Sequence, residues 1–328
     1  MSRLLRILFA SFLFFVGALS SLGASAEPQL IRVAYSLTQT SHYGAGVDAF
    51  ALALTEKTKG RFRVEHLPAG KAGGELDALN KVKNGELEMY NGSTGPLGNL
   101  VPETKVFDLP FLFTDYRHAR STMDGPIGQR ILDLFPKYGL QGLAWNENGF
   151  RHMTNNTRPI TFPEDFAKLK IRTMENSVHI ESLKSMSAAP TPMAFPKLFK
   201  ALQDGDLDGQ ENPLPVILSA KFSETQKYLS LTQHFYSPGV FIIAPKLWAT
   251  LSKLDQDAFI AAARAGTKAQ RDRVNADEFA ALSKLREQGM KVNSYVDFQA
   301  FRKALRPQYP KFLPGLDMAL VDEIRKSR

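Results

Sequence analysis

Three motifs between residues 169 and 213 decide the fold: Leu-Lys-Ile-Arg-Thr (169–173), Pro-Thr-Pro-Met-Ala-Phe (190–195) and Leu-Asp-Gly-Gln-Glu-Asn-Pro (207–213). The first and third are typical of strands, and the second places an aromatic residue after two prolines. Arg172 lies on the first strand, and an arginine is rarely buried without a partner. Its planar guanidinium matches a carboxylate through two parallel hydrogen bonds. Arg172 therefore indicates either a site for a carboxylate ligand or an internal salt bridge to Asp or Glu.

Further residues are expected near Arg172. Arg151, which follows an Asn-Gly-Phe sequence, has the same two alternatives. Phe195 is flanked by prolines that restrict its backbone, so it forms the wall of a cleft or part of the core. Asn212 precedes a proline, and its amide either donates to a ligand or caps a helix. Open α/β sheets bind ligands beyond the carboxyl ends of their strands, where Asn91, Arg172 and Asn212 are predicted to lie.

Strand and helix patterns alternate along the rest of the chain, which predicts an α/β fold with mainly parallel sheets flanked by helices. The length of 328 residues allows two domains. An internal echo of residues 80–88 at 200–208 suggests two related lobes. A crossover is expected at 146–151, and strands at 228–235 and 240–244 are expected to flank a turn at 237–239. Sustained helical character predicts one long helix over 254–288.

The first 26 residues have the composition of a secretory signal. A basic start is followed by an apolar run over 7–19, and Ala24-Ser-Ala26 matches the cleavage pattern. A membrane anchor is the alternative, but the apolar run is shorter than the roughly 20 residues that a span needs. We therefore predict export with cleavage after Ala26. The absence of cysteine excludes disulfides, thiolate catalysis and Cys-ligated metal sites.

The charge and the missing enzyme motifs favour a binding protein. Loss of Arg3 and Arg6 with the signal would lower the formal charge from +8 to +6, and a basic surface suits an anionic ligand. Without basic runs, nucleic acid is not an expected partner. The six histidines lack metal-ligand spacing, so neither a metal nor another cofactor is predicted. Gly-Ala-Gly-Val-Asp-Ala (44–49) formally fits a dinucleotide motif, but no strand directly precedes it, so helix packing by small residues is expected.

The three motifs, together with Gln-Lys-Tyr at 226–228, resemble those of the DctP-type periplasmic solute-binding proteins of tripartite ATP-independent periplasmic (TRAP) transporters. The resemblance covers nearly all of residues 27–328. It implies a two-lobed periplasmic-binding-protein fold that closes around its ligand, with the long helix spanning both lobes. We expect lobe I to comprise 27–148 and 238–277, and lobe II to comprise 149–237 and 278–328.

The resemblance also implies roles for individual residues. Arg172 would pair with the ligand carboxylate, Arg151 would assist it, and Phe195 and Asn212 would complete that end. Four positions match contacts to the distal part of the sugar in sialic-acid-binding members: Ser36, Glu75, Ser93 and Glu175. Three of them differ in type from those members: Ser36 and Glu175 each replace an asparagine, and Ser93 replaces a glutamate. Sialic acid is therefore not the expected ligand. Other candidates for selecting the ligand are His42, Tyr43, Trp145, Asn148 and Tyr236, with an aromatic core as the alternative for Trp145.

The sequence therefore predicts a monomeric periplasmic receptor that binds a small organic acid and delivers it to TRAP membrane subunits by hinge closure. The expected ligand is a C4-dicarboxylate or a related carboxylate. A sugar acid or other monocarboxylate is the first alternative, and service to a sensor is another. A secreted hydrolase is the enzyme alternative, which the motif search does not favour.

Overall fold

The computed structural model of the chain describes residues 27–315 and 317–327, so the predicted signal segment lies outside the described residues. Its strands are β1 (Gln29–Ala34), β2 (Phe62–Leu67), β3 (Met89–Ser93), β4 (Gln141–Asn155), β5 (Lys170–Thr173), β6 (Ala189–Pro192), β7 (Gly209–Asn212), β8 (Tyr228–Ile243) and β9 (Lys291–Asn293). They form one sheet in the order β2-β1-β3-β8-β4-β7-β5-β6, with β9 beside β8.

Thirteen α-helices cover the sheet in the described part of the chain. They are α1 (His42–Lys57), α2 (Glu75–Asn84), α3 (Thr94–Leu97), α4 (Tyr116–Asp124), α5 (Pro126–Leu132), α6 (Ser177–Ser185), α7 (Leu198–Gln203), α8 (Leu214–Ser219), α9 (Pro245–Thr250), α10 (Lys253–Glu287), α11 (Phe298–Leu305), α12 (Tyr309–Phe312) and α13 (Met318–Lys326). None of them is long and apolar enough to cross a bilayer. The C-terminal segment carries three helices after β9.

The strands divide into two groups, as the two-lobed α/β prediction requires. In lobe I, β1 pairs in parallel with β2 and β3; in lobe II, β5 pairs in parallel with β6 and β7. Two long strands, β4 and β8, run antiparallel to each other and join the groups. The end of β8 pairs with β3 and its beginning pairs with β9. The second half of β4 pairs with β7. The sheet is therefore mixed.

The chain passes from one group of strands to the other at 146–151, where a crossover was expected, but it does so within the continuous strand β4. The expected turn at 237–239 is wrong, because that segment continues as strand in β8. The β4–β8 ladder shifts register at three points, one of them between Glu147 and Gly149. Pro238 lies opposite Glu147, beside this irregularity, which is where a proline is tolerated inside a sheet. Gly149 has a φ of 124°, a conformation that favours glycine. Irregular residue types thus mark bulges rather than chain reversals.

The predicted long helix is α10, which Ser252 caps by accepting from the Asp255 amide at 3.1 Å. It lies along α1 in lobe I and reaches α8 in lobe II, where Ala281 and Leu285 join the local apolar core. Gly46 of the 44–49 segment serves this packing, as predicted, whereas Gly44 lies against the carbonyl oxygen of Gln39. A Cβ on Gly266 would lie 2.6 Å from the carbonyl oxygen of Gly46, so the two helix backbones are in close contact.

Changing Gly266 to valine is expected to lower the free energy of unfolding by roughly 1–3 kcal/mol, because overpacking forces the two helices apart. The new side chain would also meet the Phe241 ring at 2.9 Å. The matched control is Ala276→Val on the exposed side of the same helix, which costs only about 0.5 kcal/mol of helix propensity. Urea unfolding measures both, and equal losses would refute the close-contact explanation.

Candidate ligand-binding site

A cleft between the lobes collects most of the predicted site residues. Its cavity volume is about 10 Å³, close to the room that one water molecule needs, so the cleft is nearly closed. Its lining residues are buried, except for the half-buried Phe195. Eight of them are site residues predicted from the sequence: Ser36, Tyr43, Glu75, Ser93, Asn148, Arg172, Phe195 and Asn212. The other three are Leu37, Met174 and Val216.

Arg172 is the cation of this cleft. It is 2 % exposed, and its Nε donates to the carbonyl oxygen of Met193 at 2.8 Å. Its guanidinium lies 6.0 Å from the centre of the Phe195 ring. No carboxylate of residues 27–315 or 317–327 forms an ion pair with it within 4.0 Å. Burial, followed by the charge of Arg151, lowers its pKa to about 10, so it is still charged at neutral pH. An internal salt bridge is not the arrangement found at this arginine.

Arg151 adopts the other alternative and forms an internal salt bridge. Both it and Glu211 are completely buried. Nε of Arg151 donates to the Glu211 carboxylate, and its Nη2 donates to Glu211 Oε1 at 2.9 Å and to Asn212 Oδ1 at 3.3 Å. Burial alone would raise the pKa of Glu211, but the Arg151 charge and hydrogen bonds from His234 and Arg151 outweigh it, so the pKa lies well below its ordinary value. Arg151 lies behind the cleft and holds Asn212 within it.

The opposite end of the cleft presents acceptors. Glu75 Oε1 accepts from the Tyr90 hydroxyl at 3.0 Å and from Ser93 Oγ at 3.1 Å. Burial raises the pKa of Glu75, while the charge of Arg172 and these hydrogen bonds act in the opposite direction. Ser36 adds a hydroxyl to the lining. The cleft thus has a guanidinium at one end and a carboxylate with serine hydroxyls at the other.

Two predicted residues support the cleft from behind. The side chain of Asn91 is bound internally, since its Oδ1 accepts from Asn146 at 2.8 Å and its Nδ2 donates to Gln270 Oε1 at 3.2 Å. His42 Nε2 lies 3.1 Å from Asn148 Oδ1, and burial lowers its pKa to about 4, so the ring is neutral at neutral pH. These contacts fix the orientation of the residues that do line the cleft.

Three other candidates lie elsewhere. Tyr236 packs among aromatic rings and donates to Glu147 Oε2 at 2.9 Å. Glu175 is half-buried outside the lining, and its carbonyl oxygen accepts from Asn99 at 2.6 Å. Trp145 donates to the Gly128 carbonyl oxygen at 2.9 Å within the core. Among the described residues, no group of His, Asp and Glu is arranged to hold a metal ion.

Sequence reasoning missed several residues of the site. Leu37, Met174 and Val216 form its apolar wall, and their sequence pattern is that of ordinary core residues. Glu211, within the third motif, is the partner that neutralises Arg151. Its local sequence gives no sign of that pairing, which depends on a neighbouring strand.

A two-lobed α/β chain with a buried, charged cleft between its lobes defines the class of extracellular solute-binding proteins. This chain belongs to the DctP family, described as bacterial extracellular solute-binding protein, family 7, which matches residues 33–314. The family supplies the receptors of TRAP transporters, which take up organic acids.

Named relatives extend this comparison. A TRAP solute-binding protein from Polaromonas sp. JS666, solved with D-erythronate, is 49 % identical with a TM-score of 0.89, over 91 % of this chain and 98 % of that one. One from Bordetella bronchispeptica, with density interpreted as pantoate, is 42 % identical with a TM-score of 0.89, over 92 % and 99 %. The 2,3-diketo-L-gulonate-binding periplasmic protein YiaO of Escherichia coli is 33 % identical over 95 % of this chain and 97 % of its own length.

Proposed function

We propose that this receptor binds a hydroxylated monocarboxylic acid of the sugar-acid type. The observation that carries the proposal is the opposite chemistry of the two ends of the cleft. Arg172 has an unpaired guanidinium suited to one carboxylate. Glu75, Ser93 and Ser36 lie at the other end, where ligand hydroxyls can donate to the carboxylate and bond with the serines.

The same arrangement disfavours the C4-dicarboxylate expected from the sequence. A second ligand carboxylate would face Glu75, and two like charges in a buried site cannot both stay ionised without a large cost. Binding a dicarboxylate would therefore require proton uptake by Glu75 or by the ligand. Erythronate and pantoate, which occupy the related proteins, each have one carboxylate and several hydroxyls. They support the alternative of a sugar acid.

Binding is proposed to favour lobe closure. Ser36 follows β1, Glu75 begins α2 and Ser93 ends β3, whereas Arg172, Phe195 and Asn212 follow or lie on lobe II elements. A ligand that contacts both sets gains its full interaction only when the lobes are closed, so it shifts the population toward that state. The lobes are proposed to comprise 27–148 with 238–277 and 149–237 with 278–328. The closed receptor then delivers its ligand, chemically unchanged, to TRAP membrane subunits.

The cellular setting is part of the proposal. The chain is proposed to be exported to the periplasm, with its signal removed after Ala26, and to act there as a monomer. N-terminal sequencing of the secreted protein tests the cleavage site, and light scattering tests the monomer. Loss of acid uptake on deletion separates a transport receptor from one that serves only a sensor. Recovery of the ligand unchanged, judged by NMR, separates both from a hydrolase.

Calorimetry with D-erythronate and succinate tests the ligand class. Wild type is expected to bind erythronate and to discriminate against succinate. Changing Glu75 to glutamine should weaken erythronate binding by roughly 10- to 150-fold, because hydrogen bonds to charged groups contribute about 1.5–3 kcal/mol. The same change should improve succinate binding, since it removes the like charge. Glu56→Gln, on the exposed side of α1, is the matched control.

Tight succinate binding by wild type without proton uptake would contradict the proposal. Proton uptake is measured by repeating the titration in buffers of different ionisation enthalpy. A Glu75→Gln variant that keeps its full preference for erythronate would likewise show that Glu75 does not read the ligand hydroxyls.

A further inference from the structure

The hydroxyl of Tyr43 differs from those of the other buried tyrosines of the described chain because it has no hydrogen-bond partner. Tyr43 begins helix α1, lines the cleft and is 1 % exposed. Its hydroxyl is buried and makes no hydrogen bond with any residue of the described chain. Each of the other buried tyrosine hydroxyls has a partner: Tyr35 with His66, Tyr90 with Glu75, Tyr236 with Glu147 and Tyr309 with the Pro110 carbonyl oxygen.

Packing explains the ring of Tyr43 but not its hydroxyl. The ring belongs to the apolar cluster beneath α1, together with Val47 and Phe50, and a phenylalanine would fill the same space. A buried hydroxyl without a partner is unfavourable, so its presence in a folded protein calls for a specific explanation. Tyr43 is one of the residues that line the cleft, so a molecule bound there is the partner to consider for this hydroxyl.

The surroundings of Tyr43 hold it in place. Its carbonyl oxygen accepts from Asn91 Nδ2 at 3.3 Å, and the His42 ring packs 4.6 Å from its own ring. The Ser93 hydroxyl, which is bound to Glu75, lies near the phenol without completing a hydrogen bond to it. Burial raises the pKa of the phenol well above its ordinary value, so it remains a donor at physiological pH. Such a fixed donor costs little entropy to use in binding.

We propose that Tyr43 is a specificity-determining residue whose phenol donates a hydrogen bond to one hydroxyl oxygen of the bound acid. The inference rests on the proposed function, because it requires a hydroxylated ligand. It adds a donor to a cleft end that otherwise offers the Glu75 carboxylate and serine hydroxyls. A ligand hydroxyl at this point can then donate to Glu75 and accept from Tyr43 at once, which an acid with a methylene there cannot do.

The test is a chemical double-mutant cycle with Tyr43→Phe. Wild type and variant are titrated by calorimetry with D-erythronate, with 4-hydroxybutanoate, which lacks the hydroxyls on carbons 2 and 3, and with 2,3-dihydroxybutanoate, which lacks the hydroxyl on carbon 4. The variant is expected to bind erythronate roughly 5- to 150-fold more weakly, the range for a buried polar group left unpaired. For one of the two deoxy acids the difference between variant and wild type should disappear, which shows whether Tyr43 contacts the hydroxyl on carbon 4 or one of the other two.

Tyr309→Phe is the matched control, since it removes a partnered phenol hydroxyl distant from the cleft lining. It is expected to lower the Tm of the ligand-free protein and leave erythronate affinity unchanged. Tyr43→Phe should instead weaken erythronate binding without lowering that Tm. Equal erythronate binding by wild type and Tyr43→Phe would overturn this inference and leave the proposed function unaffected. The same loss for all three acids would assign Tyr43 a purely structural role and also overturn it. Failure of wild type to bind any of these acids would instead refute the proposed function.

Discussion

Arg172→Ala is expected to abolish the thermal stabilisation that the ligand confers. Removing one side of a desolvated arginine–carboxylate pair costs roughly 2–5 kcal/mol, which is about 30- to 5,000-fold in affinity. Arg172→Lys should also lose much of the affinity. Lysine lacks the planar fork, and it cannot reproduce the Nε hydrogen bond to Met193 that orients the guanidinium. Calorimetry and thermal shift with D-erythronate measure both variants.

The ligand-free protein provides the internal check on this result. Arg172 has no ion-pair partner within 4.0 Å among the described residues, so its removal breaks no direct ion pair and should lower the Tm of the ligand-free protein much less than it lowers the affinity. Arg130→Ala, which removes an exposed ion pair with Glu323, is the control and should alter neither quantity much. Unchanged affinity in both Arg172 variants would exclude Arg172 as the carboxylate partner.

Arg151→Met should produce the largest loss of stability, about 3–5 kcal/mol, because it leaves Glu211 as an unpaired buried charge. The double variant Arg151→Met with Glu211→Leu should recover most of this loss, since both charges are then removed. Urea unfolding of the ligand-free protein measures all three chains. If the double variant were as unstable as the single one, the loss would come from packing rather than from the unpaired charge of Glu211.

The pH dependence of the free energy of unfolding provides an independent test of the Arg151–Glu211 pair. In wild type the pKa of Glu211 is depressed, so the pair contributes stability above the ordinary glutamate pKa, and this contribution is lost as the pH falls through the folded value. In Arg151→Met, burial without the arginine raises the pKa of Glu211. The variant should therefore be most destabilised near neutral pH, and the deficit should shrink in acid. A deficit independent of pH would contradict this explanation.

Local patterns were enough for the elements whose signals lie within a few residues. Gly85 and Gly205, singled out as helix ends in the internal echo, have φ values of 76° and 77°. Arg172 stood out because a charged residue on an apolar strand is a strong departure from pattern, but the strand alone left an internal salt bridge open, and the resemblance assigned Arg172 to the ligand.

Features that depend on contacts between distant segments were not accessible in this way. The pairing of Arg151 with Glu211 joins residues 60 positions apart, and the continuous β4–β8 ladder overrides local signals for turns. The class of ligand likewise depends on contacts between segments that are distant in sequence. Arg172 suits a dicarboxylate and a sugar acid equally, whereas Glu75 distinguishes them only once α2 is known to face β5 across the cleft.

The shared ladder of β4 and β8 has a consequence for how such receptors can be recombined. Strand β3 in lobe I is completed by residues 239–243, and β7 in lobe II by residues 152–155, so each lobe borrows strand from a segment that also serves the other. A gene cut at any single point leaves at least one open sheet edge, which is prone to aggregation. The lobes are therefore not interchangeable modules, and new specificities must arise by substitution within one chain rather than by swapping halves between relatives.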